Sequence, residues 1–217
     1  MGKALYRKYR SRSLDEIVGQ EHVTGLLKRA LERGRVAHAY LFTGPRGVGK
    51  TSIARILAHE INKLPYSDES THLDIIEIDA ASAPKKVYII DEVHMLSKPA
   101  FNALLKTLEE PPEHVVFILA TTDVEKLPET IISRTQRHTF RRAGLDELIR
   151  NMKTISNAEK ILIDDDALAL IAEHSDGGYR DRVSLLDQLA NAVDTTETVT
   201  AALVEQSLGL AARTQLA

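Results

Sequence analysis

The 217-residue chain contains no cysteine, and that absence removes three kinds of chemistry. No disulfide framework, thiol nucleophile or Cys-ligated zinc can be built, and a reducing cytoplasm is compatible with such a chain. Long hydrophobic runs are also missing, since the longest apolar stretches are strand-sized and far short of a membrane span. Met1–Arg12 is basic but lacks the apolar block of a signal peptide, so neither targeting nor anchoring is read from it. Excess charge is scarce as well. A formal net charge of -3 does not fit a protein that coats nucleic acid by bulk attraction, although a local basic face would still reach phosphates. His22, His38, His94 and His114 are scattered without ligand spacing, so no metal is assigned to them. There is no internal repeat and no low-complexity tract. With 43% hydrophobic residues, the length suits one large or two modest domains.

Against these absences one motif stands out. Gly44-Pro45-Arg46-Gly47-Val48-Gly49-Lys50-Thr51 fits the phosphate-binding pattern G-x-x-x-x-G-K-S/T, with the apolar run Ala39–Phe42 before it and a helix-like segment, Ser52–Asn62, after it. Glycines let successive backbone N–H groups turn toward phosphate oxygens, and the positive end of the following helix adds to the attraction. Lys50 would reach the β and γ phosphates, and the Thr51 hydroxyl would ligate Mg²⁺. The pattern implies a bound nucleoside triphosphate.

A second segment, Lys86-Val87-Tyr88-Ile89-Ile90-Asp91-Glu92, is an apolar β-rich run that ends in two carboxylates. It places Asp91 and Glu92 at the carboxyl end of a buried strand, where open α/β sheets bind their ligands. Asp91 would hold Mg²⁺, and Glu92 would take a proton from, or orient, the water that attacks the γ phosphate.

Between Ala39 and about Phe140 the chain reads as α/β. Strand-like runs fall at Ala39–Thr43, Asp74–Asp79, Val87–Asp91, Val115–Thr121 and Gln136–Phe140, with helical stretches such as Pro99–Glu109 between them. From about Leu145 the strands stop. Amphipathic helices are expected at Leu145–Ala158, Asp166–His174 behind an Asp164 cap, Arg180–Val193 and Thr200–Leu208. The expected organisation is a parallel-sheet domain over residues 1–142 and a small all-helical domain over 143–217. One connection conflicts with it: only Ala80–Lys86 separates two strands that both look central, whereas a parallel crossover needs a dozen or more residues. Either the two strands are antiparallel or a crossover helix is absent near Ser82/Ala83. The second alternative is favoured, because a doubly wound nucleotide fold expects a helix there.

Further segments resemble the ATPase subunits of DNA-polymerase clamp loaders, within the AAA+ class, and most nearly the bacterial DNA polymerase III gamma/tau kind. They are Tyr6–Arg10 (YRKYR) with Ile17–Glu21 (IVGQE), His38–Ser52 (HAYLFTGPRGVGKTS), Ile90–Ser97 (IDEVHMLS), Phe101–Asp123, Ser133-Arg134-Thr135 and Gly178-Tyr179-Arg180-Asp181. The resemblance covers nearly the whole chain. It implies an AAA+ P-loop sheet flanked by helices and followed by a helical lid, with Val18 and Gly19 against adenine. It further implies that Thr122 is the sensor-1 residue, Arg180 the sensor-2 arginine of the lid, and Arg134 an arginine finger for ATP held by a neighbouring subunit. Such a guanidinium stabilises charge on a γ phosphate in the transition state. Without the resemblance, Arg134 and Arg180 would read as surface charges or members of ordinary salt bridges.

The implied function is that of a Mg²⁺-ATP-dependent motor subunit in the cytoplasm, working with other clamp-loader subunits to open a sliding clamp and load it on primer-template DNA. It would belong to the DNA-directed DNA polymerase holoenzyme and have no polymerase chemistry of its own. The chain departs from the family pattern in several places. Thr135 replaces the cysteine usual after the finger arginine, and Lys63–Leu73 is a short polar loop where bacterial members carry a four-cysteine zinc module, so no zinc is expected. The crossover helix near Ser82 is missing. The collar domain that assembles the subunits is absent after Ala217, so the isolated chain is expected to be monomeric. A Holliday-junction branch-migration motor is the competing enzyme, disfavoured by Leu104–Val115 (LLKTLEEPPEHV). A binding-only subunit is disfavoured by intact Gly49, Lys50, Thr51, Asp91 and Glu92. The basic residues Lys3, Arg7, Lys8, Arg10 and Arg12 suit either nucleic acid or a solvated, nucleotide-facing segment.

Overall fold

A computed structural model describes residues 4–66, 75–78, 85–175, 178–194 and 196–209. It divides into two compact units, one of Ser11–Arg141 and one that joins Met1–Arg10 to Arg142–Ala217. After a short α1 (Leu5–Lys8), the first unit runs α2 (Glu21–Glu32), β1 (Ala39–Thr43), α3 (Lys50–Ile61), β2 (Ile75–Ile78), β3 (Lys86–Ile90), α4 (Lys98–Glu109), β4 (Val115–Thr121), α5 (Glu129–Ile132) and β5 (Gln136–Thr139). The strands order as β2-β3-β4-β1-β5.

All five residues of β1 and all seven of β4 are buried, as apolar strands covered on both faces must be. Alternation then sorts the side chains between two cores. Tyr40, Phe42, Val116, Ile118, Val87 and Ile89 pack with α2 and α3, while Leu41, Phe117, Leu119 and Ile90 pack with Leu104 and Leu108 of α4 and Ile131 of α5. Each fully buried aliphatic side chain contributes roughly 1.5–3 kcal/mol through removal from water. At the edge, β5 buries only His138 of its four residues. Four strands, β3, β4, β1 and β5, are mutually parallel. The registers Thr43↔Thr121 and Ile90↔Leu119 bring the carboxyl ends of β1, β3 and β4 level with one another.

The exception is β2, which pairs with β3 antiparallel, Ile75 opposite Ile90 and Ile78 opposite Val87. The expectation of a parallel β2 is therefore corrected: the connection is too short for a crossover, and an antiparallel hairpin satisfies the same backbone groups without one. The position suggested for a missing helix, Ser82/Ala83, lies outside the described residues.

The second unit holds α1 and α6 (Leu145–Glu159), α7 (Asp165–His174), α8 (Tyr179–Ala190) and α9 (Ala201–Leu208). Met152, Leu168, Ile171, Val183, Leu186 and Val204 form its core. Ala4–Arg10 belongs here, which corrects the expected 1–142 domain at its amino end. Leu5 is buried in this core and its N–H donates to Asp187 Oδ2 at 3.1 Å, while Lys8 pairs with Glu159 at 2.6 Å. The Tyr9 hydroxyl donates to the same Glu159, and Tyr179 donates to the Tyr9 carbonyl. Asp164 occupies the N-cap position of α7 but makes no side-chain capping bond. No described helix is long and apolar enough to cross a membrane.

Candidate nucleotide site

The loop between β1 and α3 takes its shape from glycines at Gly44, Gly47 and Gly49, all at positive φ. Gly44 shows why no larger residue suffices: φ is 142°, and a Cβ there would lie 2.4 Å from the Phe140 carbonyl oxygen. Its N–H donates to Thr121 O at 3.3 Å, so the loop is fastened to β4. Val48 is buried under the loop and Arg46 is exposed. Gly49 is left-handed at the N-cap of α3, and Ser52 follows within the first turn, so the helix begins at Lys50 with its free N–H groups turned toward the loop.

Lys50 is 6% exposed. Its ammonium donates to the carbonyls of Gly44 and Pro45, both at 2.6 Å. Burial lowers its pKa, and the negative charges of Glu92 and then Asp91 oppose that shift. Next to it the Thr51 hydroxyl donates to Asp91 Oδ2 at 2.7 Å, which joins the first helical turn to the end of β3.

The chain turns sharply after Asp91. The Glu92 N–H donates to Asp91 Oδ1 at 3.0 Å, and Glu92 itself sits at φ 46°, ψ 48°, a left-handed conformation that a β-substituted residue seldom adopts. The turn sends its carboxylate across to the end of β4. There Oε2 accepts from the Thr122 N–H at 3.1 Å and from the Thr122 hydroxyl at 2.9 Å. Two carboxylates from the end of β3 thus pair with two hydroxyls, Asp91 with Thr51 in the first turn of α3 and Glu92 with Thr122 just past β4, and such oxygens suit a hard divalent cation and a phosphate ester.

Val18 and Gly19 lie in the segment before α2. Gly19 has φ 76° and donates its N–H to Glu21 Oε1 at 3.1 Å, and its carbonyl accepts from Arg141 Nε at 3.3 Å. The clamp on this segment is Gln20, 1% exposed, whose amide both donates to Arg141 O (2.6 Å) and accepts from Arg141 N (3.2 Å). Arg134 has a separate neighbourhood: its guanidinium donates to Thr130 O at 2.8 Å and pairs with Glu109 Oε1 at 3.0 Å. Arg180, in the helical unit, lies with its guanidinium 5.0 Å from the centre of the Tyr6 ring.

The structure therefore joins Thr51 to Asp91 and Glu92 to Thr122, and gives Arg134 and Arg180 other partners. Sequence reasoning gave no site role to Gln20, Arg141, Glu109, His94 or Tyr6. The partner of Gln20 is 121 residues away and that of Glu109 is 25 away, so no local pattern marks those two.

A P-loop sheet whose strand ends carry this set, followed by a separate helical unit, has the fold of the AAA+ class. Its solved likenesses include the Thermotoga maritima RuvB Holliday junction branch migration motor, at 26% identity and a TM-score of 0.73, covering 96% of this chain and 73% of that one. Sequence narrows the class. A family model described as DNA polymerase III, delta subunit, matches residues 19–74 and 72–144, and one for the ATPase lid domain of the DNA polymerase III clamp loader subunit matches 147–192. DNA polymerase III subunit tau of Bacillus subtilis is 47% identical over 86% of this chain and 39% of its own length. The Escherichia coli subunit tau is 44% identical over 86% of this chain and 34% of its own length, and the Mycobacterium tuberculosis gamma/tau subunit 43% over 92% and 41%. The chain belongs to the bacterial DNA polymerase III clamp-loader gamma/tau family. It spans between a third and a little over two fifths of the length of these three relatives.

Proposed function

We propose that this chain binds ATP with Mg²⁺ at the loop Gly44–Ser52 and hydrolyses it, and that the hydrolysis cycle drives opening of a sliding clamp and its loading on primed DNA. The observation that carries the reading is the meeting of Thr51, Asp91, Glu92 and Thr122 at the level carboxyl ends of β1, β3 and β4. In this reading the N–H groups of Gly47–Ser52 and the Lys50 ammonium bind the phosphates, and Val18 and Gly19 border the adenine. Thr51 and Asp91 would hold Mg²⁺, and the ion would supply positive charge against the phosphates. Among the described residues no group of three or more His, Cys, Asp and Glu converges, so the ion would draw on one carboxylate, one hydroxyl and the phosphates. Glu92 accepts the proton of the attacking water, and Thr122 holds the carboxylate that does so. Arg180 answers to the γ phosphate from the lid, and Arg134 serves ATP on a neighbouring subunit.

The reading extends to a wider setting, supported by the likeness to DNA polymerase III subunits: cytoplasmic action beside other clamp-loader subunits, the sliding clamp and primer-template DNA. The deciding variant is Glu92→Gln in the full-length assembled protein. ATP should stay bound with parental affinity while turnover drops by roughly two to four orders of magnitude. Parental turnover in that variant rules Glu92 out as the base.

A further inference from the structure

One side chain at the end of β4 has no role in that reaction scheme. His94 lies in the short 3-10 turn Val93–Met95 that follows Glu92, and its side chain is only 9% exposed. Its Nδ1 is 2.8 Å from Thr121 Oγ1 and 3.3 Å from Glu92 Oε2. The Thr121 hydroxyl is already committed, because it donates its single proton to Asp123 O at 3.1 Å and accepts from the Asp123 N–H at 3.0 Å. An oxygen in that state can only accept from an imidazole, and an ionised carboxylate likewise only accepts. Both neighbours of Nδ1 therefore require a proton on it, which fixes the tautomer facing Glu92.

We propose that His94 is a positioning residue for Glu92. Its Nδ1–H shares itself between fully buried Thr121, a fixed point on β4, and Oε2 of the carboxylate. Oε2 is then held by three donors, the Thr122 N–H, the Thr122 hydroxyl and His94, which leaves Oε1 to take the proton of the attacking water. Such a restraint has something to act against. Glu92 leaves β3 through a left-handed backbone turn, and the buried Lys50 ammonium attracts the same carboxylate. A base drawn onto Lys50 would be neutralised and turned from the water, so the histidine keeps it on the side of β4.

The inference rests on Glu92 acting as the base, and the experiment separates the two. In the full-length protein, assembled with its partner subunits, His94→Ala should lower kcat about tenfold with ATP affinity unchanged. His94→Asn carries an amide nitrogen at the place of Nδ1 and should recover most of that loss. His94→Gln carries its nitrogen at the place of Nε2 and should not. In a Glu92→Gln background, removal of His94 should cost nothing more, because the residue acts only through the carboxylate. Thermal melting of each variant accompanies the rates, and if His94→Ala melts early the contrast between Asn and Gln decides. Parental kcat in His94→Ala, equal rates in Asn and Gln, or a further tenfold loss in the Glu92→Gln background overturns the proposal. Failure of the base assignment looks different: Glu92→Gln alone then turns over normally.

Discussion

In the sheet unit Lys50 is buried against two backbone carbonyls and faces two carboxylates, whereas in the helical unit Arg180 and Arg182 lie over the rings of Tyr6 and Tyr179. Both units bury a cation. The sheet unit surrounds its cation with oxygens, which can exchange it for a phosphate. The helical unit surrounds Arg182, 2% exposed, with a ring face and one amide, Asn151 Oδ1 at 3.2 Å, and burial brings its pKa down to about 10 while Tyr179 opposes the shift. Oxygen cradles suit charge that must meet a ligand, and aromatic covers suit charge that packs.

Three measurements would sharpen or break this contrast. The largest effect is expected at Arg134, the sheet-unit cation paired only at the surface, with Glu109. In the full-length assembly Arg134→Ala should leave the subunit's own ATP affinity intact and slow hydrolysis at the adjacent site about a thousandfold or more. Mixing these subunits with Lys50→Ala subunits identifies which sites fire. Weakened nucleotide binding in the isolated chain would mean that Arg134 acts in cis.

Arg182 should behave oppositely, as a packing residue. Arg182→Ala should cost on the order of 2–3 kcal/mol of stability through lost side-chain contacts, and Arg182→Met much less, because a buried charge gives up little when a well-packed apolar chain replaces it. Melting and denaturant titration read the difference. Equal losses in both variants would place the value of Arg182 in its polar contacts.

The smallest effect concerns His138, 4% exposed between the rings of Phe42 and Tyr40. Burial, and then the charge of His22, lower its pKa below the ordinary 6.5. Below about pH 6.5 the unfolded chain therefore takes up a proton that the folded chain resists. Its contribution is present above that pH and is lost as the pH falls through the depressed folded value. His138→Phe should flatten this acid-side slope in denaturant titrations between pH 7 and 5. An unchanged slope would assign the acid sensitivity to other groups.

Legibility in the sequence follows range. The phosphate loop and the Asp91-Glu92 pair are local patterns, and apolar runs gave the bounds of β1 and β4 as the structure has them. Helix α2 went unread, although Val23 and Leu27 carry its buried face at i, i+4 spacing. The direction of β2 was misjudged because fold expectation was weighed above connection length, the one quantity the sequence states directly. The Gln20–Arg141 clamp, the Arg134–Glu109 pair and the packing of Tyr6 on Arg180 join residues remote in sequence, and only a folded chain brings them together.

The strand order also bears on how the protein is made. β1 is translated before every other strand, yet it lies between β4 and β5, the last two to leave the ribosome. Thr121 O holds the Gly44 N–H, and the backbone at Phe140 crowds against that glycine. The nascent chain must therefore carry an apolar β1 without a strand partner until β4, Val115–Thr121, has been made, and the glycine loop is closed in only once Phe140 has emerged.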